Sequence, residues 1–91
     1  MEGERMEGYS VVTNDDKHVG HVVGTHGDYY IVESGSILKK TRYPLPKRNA
    51  TVNSDDGRLV MHMSREILHG APRVDREGRF DVAAALGYYG D

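Results

Sequence analysis

Histidines are the residues of this chain best suited to holding a metal ion, and their spacing decides whether they can do so. His18 and His21 are three positions apart, a spacing that brings side chains together on a helix. The valines and glycines around them favour a strand, where positions three apart point to opposite faces unless a bulge intervenes. We therefore expect structural or surface histidines and no bound metal or cofactor. A weaker alternative is a metal or small-ligand site built by histidines from separate strands or subunits, which would draw also on the others: His26, His62 and His69.

Two pairs of neighbouring aspartates could in principle supply acid and base catalysis or bind calcium. Asp15 and Asp16 follow an asparagine, and Asp55 and Asp56 lie between a serine and Gly57. These are the residue types of tight turns, and neither pair has the alternating oxygen ligands of a calcium loop. The glycines form no phosphate-binding pattern, and a chain without cysteine has no thiol nucleophile. We expect a protein that is not an enzyme.

A run of basic residues surrounds a tyrosine and two prolines in the middle of the chain. Basic groups beside an exposed aromatic ring can bind RNA through phosphate contacts and base stacking. Lysines also protect the edge strand of a sheet from pairing with other chains, and we favour this second interpretation because the net charge is -2. The candidate patch for nucleic acid or another partner comprises Lys39, Lys40, Arg42, Tyr43, Lys47 and Arg48.

Length and composition narrow the class of protein. Ninety-one residues suffice for one modest core, but not for a core and an enclosed substrate chamber. The absence of cysteine fits a reducing compartment and excludes a disulfide framework. No apolar run is long enough to cross a membrane, and the first residues lack the pattern of a signal peptide. We expect a cytoplasmic protein that does not bind membranes.

The elements that must position these residues begin with a β-hairpin over residues 18–34. Valines and tyrosines favour strands, and Gly27 with Asp28 suits the tight connection between them. A bulge at Gly20 would turn both Val19 and Val22 towards the core. On the returning strand we expect Tyr30 and Val32 in the core. The opposite, outer face should then carry Tyr29, Ile31 and Glu33.

Further short strands follow the hairpin. Pro44 and Pro46 lack the amide that a central strand needs, so their segment should lie at the border of the sheet. We expect a weak strand over residues 50–53 and, after a turn at residues 54–57, a clear strand over residues 58–63. The alternation of apolar residues in this second strand predicts three core residues: Leu59, Met61 and Met63. Ser64 should cap a short helix over residues 65–68.

The ends of the chain differ from the middle in composition. We expect residues 1–8 to form a flexible N-terminus, residues 9–72 the folded domain, and residues 73–91 a linker with a helical tail. Asp81 can cap that final helix, over residues 82–88, which is too short to be stable without docking. Its apolar and aromatic residues are candidates for self-association: Val82, Leu86, Tyr88 and Tyr89.

Four segments carry a resemblance to a known family. The hairpin VGHVVGTHGDYYIVESG, the later RYPLP, the strand DDGRLVMHM and the turn and helix SREILHGAP resemble the PRC-barrel superfamily, especially its small stand-alone bacterial members, over residues 9–72. The resemblance implies a mainly β fold: a small, strongly bent antiparallel β-barrel with a short helix after the last strand, here followed by the C-terminal helical tail. It also implies a protein without shared catalytic residues that binds protein or ribonucleoprotein partners.

Together these observations predict a non-enzymatic interaction or adaptor module that associates with itself as a homodimer or larger species. Small barrels leave strand edges that a second copy can cover. The alternative is a module that binds RNA or a ribonucleoprotein through the basic edge between Lys39 and Arg48.

Overall fold

Six short strands and two short helices account for the strands and α-helices in the residues that the structure, a computed structural model, describes: 6–36 and 38–90. The strands are β1 (Ser10–Thr13), β2 (His18–His26), β3 (Tyr29–Gly35), β4 (Lys40–Pro46), β5 (Ala50–Asn53) and β6 (Arg58–Met61). A single 3-10 turn, Lys47–Asn49, joins β4 to β5. The helices are α1 (Arg65–His69) and α2 (Val82–Tyr89).

The predicted hairpin is confirmed as β2 and β3, which pair antiparallel through a two-residue connection. Gly27 occupies the first position of this connection with a φ of 58°, a conformation that side chains with a Cβ rarely adopt. The predicted bulge is also present. The register against β1 shifts between Gly20 and His18, so that Val19 is the extra residue and both Val19 and Val22 lie in the core.

The strands form one sheet in the order β4, β3, β2, β1, β6, β5. Strands β1 and β6 pair in parallel and the others antiparallel, so the sheet is mixed and the prediction of an antiparallel sheet throughout is wrong for this pair. The connection from Pro46 to Ala50 spans at most about 14 Å, whereas a flat sheet would separate its first and last strands by about 24 Å. The sheet is therefore strongly curled, although it is not closed into the predicted barrel.

The concave side of the curled sheet holds the main core. Three of the predicted core positions, Leu59, Met61 and Val32, are fully buried there, and Tyr30 and Met63 pack against it with part of their surface exposed. Met6 also belongs to this cluster, although it falls within the segment 1–8 that the sequence predicts to be flexible. Residues 1–5 of that segment lie outside the described residues.

The opposite side of β3 is buried as well, which corrects the prediction that Tyr29 and Ile31 face outward. Each retains only 4% of its exposure, and Tyr29 packs edge-to-face against Phe80 with ring centroids 5.3 Å apart. Pro44 and Pro46, which pair with Ile31 and Tyr29, are buried on the same side. The C-terminal segment thus covers a second apolar face that alternation alone assigns to solvent.

Both helices begin where the sequence predicts. The Ser64 hydroxyl accepts a hydrogen bond from the Ile67 amide at 3.3 Å, and the Asp81 carboxylate accepts one from the Ala84 amide at 3.0 Å. Helix α2 docks on its own chain through Ala85, which is fully buried. In the described part of the chain, no helix is long and apolar enough to span a membrane.

Candidate interaction surfaces

Strand β4 forms one edge of the sheet, as its prolines predict. The Lys47 amide donates to the Asp28 carbonyl at 2.9 Å, so these two residues form a hydrogen-bonded pair at the end of the ladder with β3. Such pairs alternate along an antiparallel ladder, so every second residue of β4 instead directs its backbone groups away from β3. These outward-facing residues are Lys40, Arg42, Pro44 and Pro46.

The C-terminal segment of the same chain covers the middle of the outward edge of β4, at Arg42 and Pro44. The Val74 amide donates to the Arg42 carbonyl at 2.9 Å, in an isolated bridge. The Tyr89 hydroxyl donates to the Pro44 carbonyl at 2.6 Å. Pro44 and Pro46 have no amide hydrogen, so neither leaves an unpaired donor at this edge. Residues 73–79, predicted as a linker, therefore contribute through Val74 to covering the β4 edge.

Strand β5 forms the other edge, and its outward groups are not covered in this way. The His62 amide donates to the Asn49 carbonyl at 2.8 Å, which by the same alternation directs Ala50 and Val52 away from β6. The Ala50 amide is used by the Lys47 carbonyl. In the described parts of the chain, no backbone bond reaches the Val52 amide, the Val52 carbonyl or the Ala50 carbonyl from outside the sheet.

A groove of about 490 Å³ lies beside this open edge. Val52, whose side chain is 39% exposed, lines it together with Thr25 and Tyr30 from the end of the hairpin. Val52 pairs with the core residue Leu59, so its side chain continues the core face of the sheet to the edge. The β5 edge therefore offers main-chain groups and an adjoining apolar side chain with space beside them.

The basic residues predicted as a patch are divided between the two ends of β4. Lys40 is exposed at the start of the strand, and Lys47 and Arg48 are exposed after its end. Between them, Arg42 forms an ion pair with Glu33 at 3.2 Å, and Tyr43 is buried in the core. The Tyr43 ring is thus not open for stacking on a base. Lys39, the remaining residue of the predicted patch, is exposed next to Lys40.

The four predicted self-association residues of α2 also divide into two groups. The hydroxyls of Tyr88 and Tyr89 donate within the chain, to the carbonyls of Ile67 and Pro44. Val82 and Leu86 are partly exposed and line a groove of about 350 Å³ beside the hairpin turn. Burial raises the pKa of Tyr89, with smaller contributions from the neighbouring Tyr88 and Tyr29. The tyrosines therefore anchor the tail on its own domain.

The histidines lie in different places and serve different contacts. His21 lies 3.5 Å from a Glu33 carboxylate oxygen, and His62 bonds Thr51 on the exposed face of β5 and β6 at 2.7 Å. His26 packs against Phe80, and His18 is exposed. Within residues 6–36 and 38–90, no three histidine, aspartate or glutamate side chains form a group that could hold a metal ion.

One contact that sequence reasoning missed joins Ser34 to His69, two residue types that form catalytic pairs in hydrolases. The Ser34 hydroxyl donates its only proton to the Val19 carbonyl at 2.7 Å. His69 Nε2, 3.1 Å from the same hydroxyl, must therefore donate to it and cannot take its proton. This arrangement fastens α1 to the sheet and does not activate a nucleophile.

The open β5 edge was also missed, because the sequence marks the β4 edge with prolines and gives β5 only a weak strand signal. The available signal was the short uncharged stretch Thr51 to Asn53, which has no proline or lysine to protect an edge.

No protein-family model matches the chain, and no curated protein matches its sequence.

Proposed function

We propose that this chain is a protein-interaction module of the PRC-barrel type, which binds an extended segment of a protein partner by strand addition at β5. The observation that carries the proposal is the difference between the two edges of the sheet. The tail donates to the outward carbonyls of Arg42 and Pro44 at β4, whereas in the described residues no such bond reaches the Val52 amide or the carbonyls of Ala50 and Val52 at β5. Added strands gain affinity from main-chain hydrogen bonds and specificity from alternate side chains.

The curled, mainly β sheet supports the PRC-barrel part of the proposal, because the resemblance implies a small and strongly bent fold. The groove beside Val52 supports the binding mode, since an added strand needs both free backbone groups and space for its side chains. The proposed role is that of a non-enzymatic adaptor.

Selection of random linear peptides displayed on phage tests the binding mode directly. The full chain is the target, and the variant Val52→Pro is the counter-target. Proline removes the outward amide without breaking a bond to β6, while Val52→Thr keeps the amide and serves as the matched control. We expect peptides that bind the wild type and V52T but not V52P. Peptides that bind all three chains equally, or no enrichment at all, would contradict the proposal.

A second experiment with the wild type, V52P and V52T distinguishes strand addition from the binding of RNA. A titration with single-stranded polyuridylate should show no binding that depends on the residue at position 52. Strong binding that falls steeply with added salt and is lost in Lys39→Glu, Lys40→Glu would instead favour the ribonucleoprotein alternative.

A further inference from the structure

A cleft of about 280 Å³ lies between the start of β4 and the segment that follows α1. Four basic and two acidic side chains line it, which gives the cleft a net charge of +2. The basic residues are Lys40, Arg42, Arg73 and Arg76, and the acidic ones are Glu33 and Asp75. Two segments that are far apart in the chain therefore contribute to one positively charged concave surface.

Backbone hydrogen bonds fix the later of these segments beside β4. Val74 is buried, and its amide donates to the Arg42 carbonyl at 2.9 Å. The Asp75 carboxylate accepts hydrogen bonds from the amides of Glu77 and Arg79 at 2.9 and 2.8 Å, which closes a turn over these residues. The arginines on either side of Val74 are thus carried by ordered backbone.

Both carboxylates of the cleft are already used within the chain. Glu33 forms an ion pair with Arg42 at 3.2 Å, and Asp75 accepts the two amides of its own turn. The three remaining cations have no ion-pair partner in the part of the chain that the structure describes: Lys40, Arg73 and Arg76. The cleft therefore has basic groups available for an anion.

The charge and the donors of the cleft match a phosphate monoester. Such a group carries a charge of about −1.5 to −2 at pH 7 and three strong acceptor oxygens. Guanidinium groups bind phosphate oxygens through paired N–H donors. The backbone amide of Lys40 is a further donor, because it points away from β3 and no backbone bond among residues 6–36 and 38–90 reaches it.

The lining of the cleft favours a small ester over RNA. Single-stranded RNA binds by stacking its bases on aromatic rings as well as by phosphate contacts. No aromatic ring lines the cleft among the described residues. The cleft thus offers contacts to a phosphate group alone.

We propose that this cleft binds the phosphate group of a small, soluble phosphate monoester. The site is independent of strand addition, because it lies beside β4 and β5 forms the opposite edge of the sheet. Scattered basic residues on a surface attract any anion weakly, whereas this cleft should prefer an anion with two charges.

Nuclear magnetic resonance titration of the isotope-labelled full chain with methyl phosphate tests the proposal. Methyl sulfate is the matched ligand, because it has the same shape and only one negative charge. At about pH 8, where the phosphate ester is a dianion, we expect saturable shifts of the backbone amides of residues 40–42 and 73–76. The dissociation constant for methyl sulfate should be at least about tenfold higher.

A pair of variants separates the cleft from a general effect of net charge. Arg73→Gln with Arg76→Gln should raise the dissociation constant for methyl phosphate at least about tenfold. Arg65→Gln with Arg79→Gln removes the same charge from exposed positions outside the cleft, and should change it by less than about twofold. The amide spectrum of each variant also shows whether it is folded.

Several results would overturn the proposal: shifts that do not saturate, equal dissociation constants for the two esters, or equal losses in the two double variants. Polyuridylate that binds the cleft more tightly per phosphate than methyl phosphate would assign the cleft to RNA and would also overturn it. None of these results affects the selection of peptides that depend on position 52, so the two proposals fail separately.

Discussion

The two edges of the sheet carry the same kind of backbone groups but are treated differently by the rest of the chain. At β4, two prolines remove amides, and Val74 and Tyr89 bond the carbonyls of Arg42 and Pro44. At β5, no backbone bond among residues 6–36 and 38–90 covers the outward groups of Val52, and the Val52 side chain is apolar. Proteins commonly protect free edges, so an edge left open opposite a covered one is the observation that supports the proposed strand addition.

The comparison also explains the position of the tail. Helix α2 and the segment before it serve the β4 edge and the outer face of β3, where Tyr29 and Ile31 are buried. The tail thus stabilises the part of the sheet around β3 and β4, and the edge formed by β5 is the candidate for binding. Four experiments test this division, in order of decreasing expected effect on stability.

Undocking the tail should have the largest effect. Ala85 of α2 is fully buried, so Ala85→Asp places a carboxylate in an apolar contact and should lower the free energy of unfolding by about 3 kcal/mol. Ala84→Asp is the matched control, because Ala84 is exposed on the same helix and its substitution should change stability by less than about 0.5 kcal/mol. Urea denaturation followed by circular dichroism measures both. Equal stability of the two variants would show that the tail does not protect the sheet.

Removing one bond from the covered edge should have an intermediate effect. Tyr89→Phe leaves the Pro44 carbonyl without its donor and should cost about 1 kcal/mol. Tyr88→Phe should cost less, because that side chain is 42% exposed and water can replace it as the donor to the Ile67 carbonyl. A Tyr88 variant that is the more destabilised of the two would contradict the role assigned to Tyr89.

The same substitution should change the response to alkaline pH. Burial raises the pKa of Tyr89 above its ordinary value of 10.0, so the folded chain keeps a proton that the unfolded chain loses. The stabilising contribution is complete below pH 10 and is lost as the pH rises above that value towards the raised pKa. Unfolding free energies measured across this range should fall less steeply in Tyr89→Phe than in the wild type; parallel curves would argue against burial of the hydroxyl.

Adding a charge to the open edge should have the smallest effect on stability and a clear effect on the binding of selected peptides. Val52→Lys places an ammonium group at a partly exposed position, so its unfolding free energy in dilute solution should stay within about 0.5 kcal/mol of the wild type. A lysine at an edge opposes pairing with another strand. Peptides selected on the wild type should therefore bind Val52→Lys more weakly than Val52→Thr, and unchanged binding would remove β5 from consideration as the interface.

Local chemistry made several parts of this fold predictable. The hairpin with Gly27, the bulge beside Gly20 and the caps at Ser64 and Asp81 each depend on residues within a few positions of one another. The alternation that predicts Leu59 and Met61 as core is local in the same sense. Such features follow from backbone conformations and side-chain periodicity that a single segment determines.

The features that could not be predicted depend on residues far apart in the chain. The outer face of β3 is apolar at Tyr29 and Ile31, yet what buries it arrives with Phe80 and its neighbours about fifty positions later. The parallel pairing of β1 with β6 leaves no local pattern either. For the candidate site, Pro44 indicated an edge correctly, but the open edge at Val52 follows only from the hydrogen-bond alternation in the assembled sheet.

The parallel pairing of β1 with β6 affects how the chain folds while it is being synthesised. Residues 10–13 leave the ribosome early and can pair with β2 at once, but their other side has no partner until residues 58–61 have been synthesised. The β4 edge waits longer, because Val74 and Tyr89, which bond it, follow β6 in the chain. The emerging chain therefore passes through a stage with two open edges, those of β1 and β4, and a pause before residue 58 prolongs their exposure to other nascent chains.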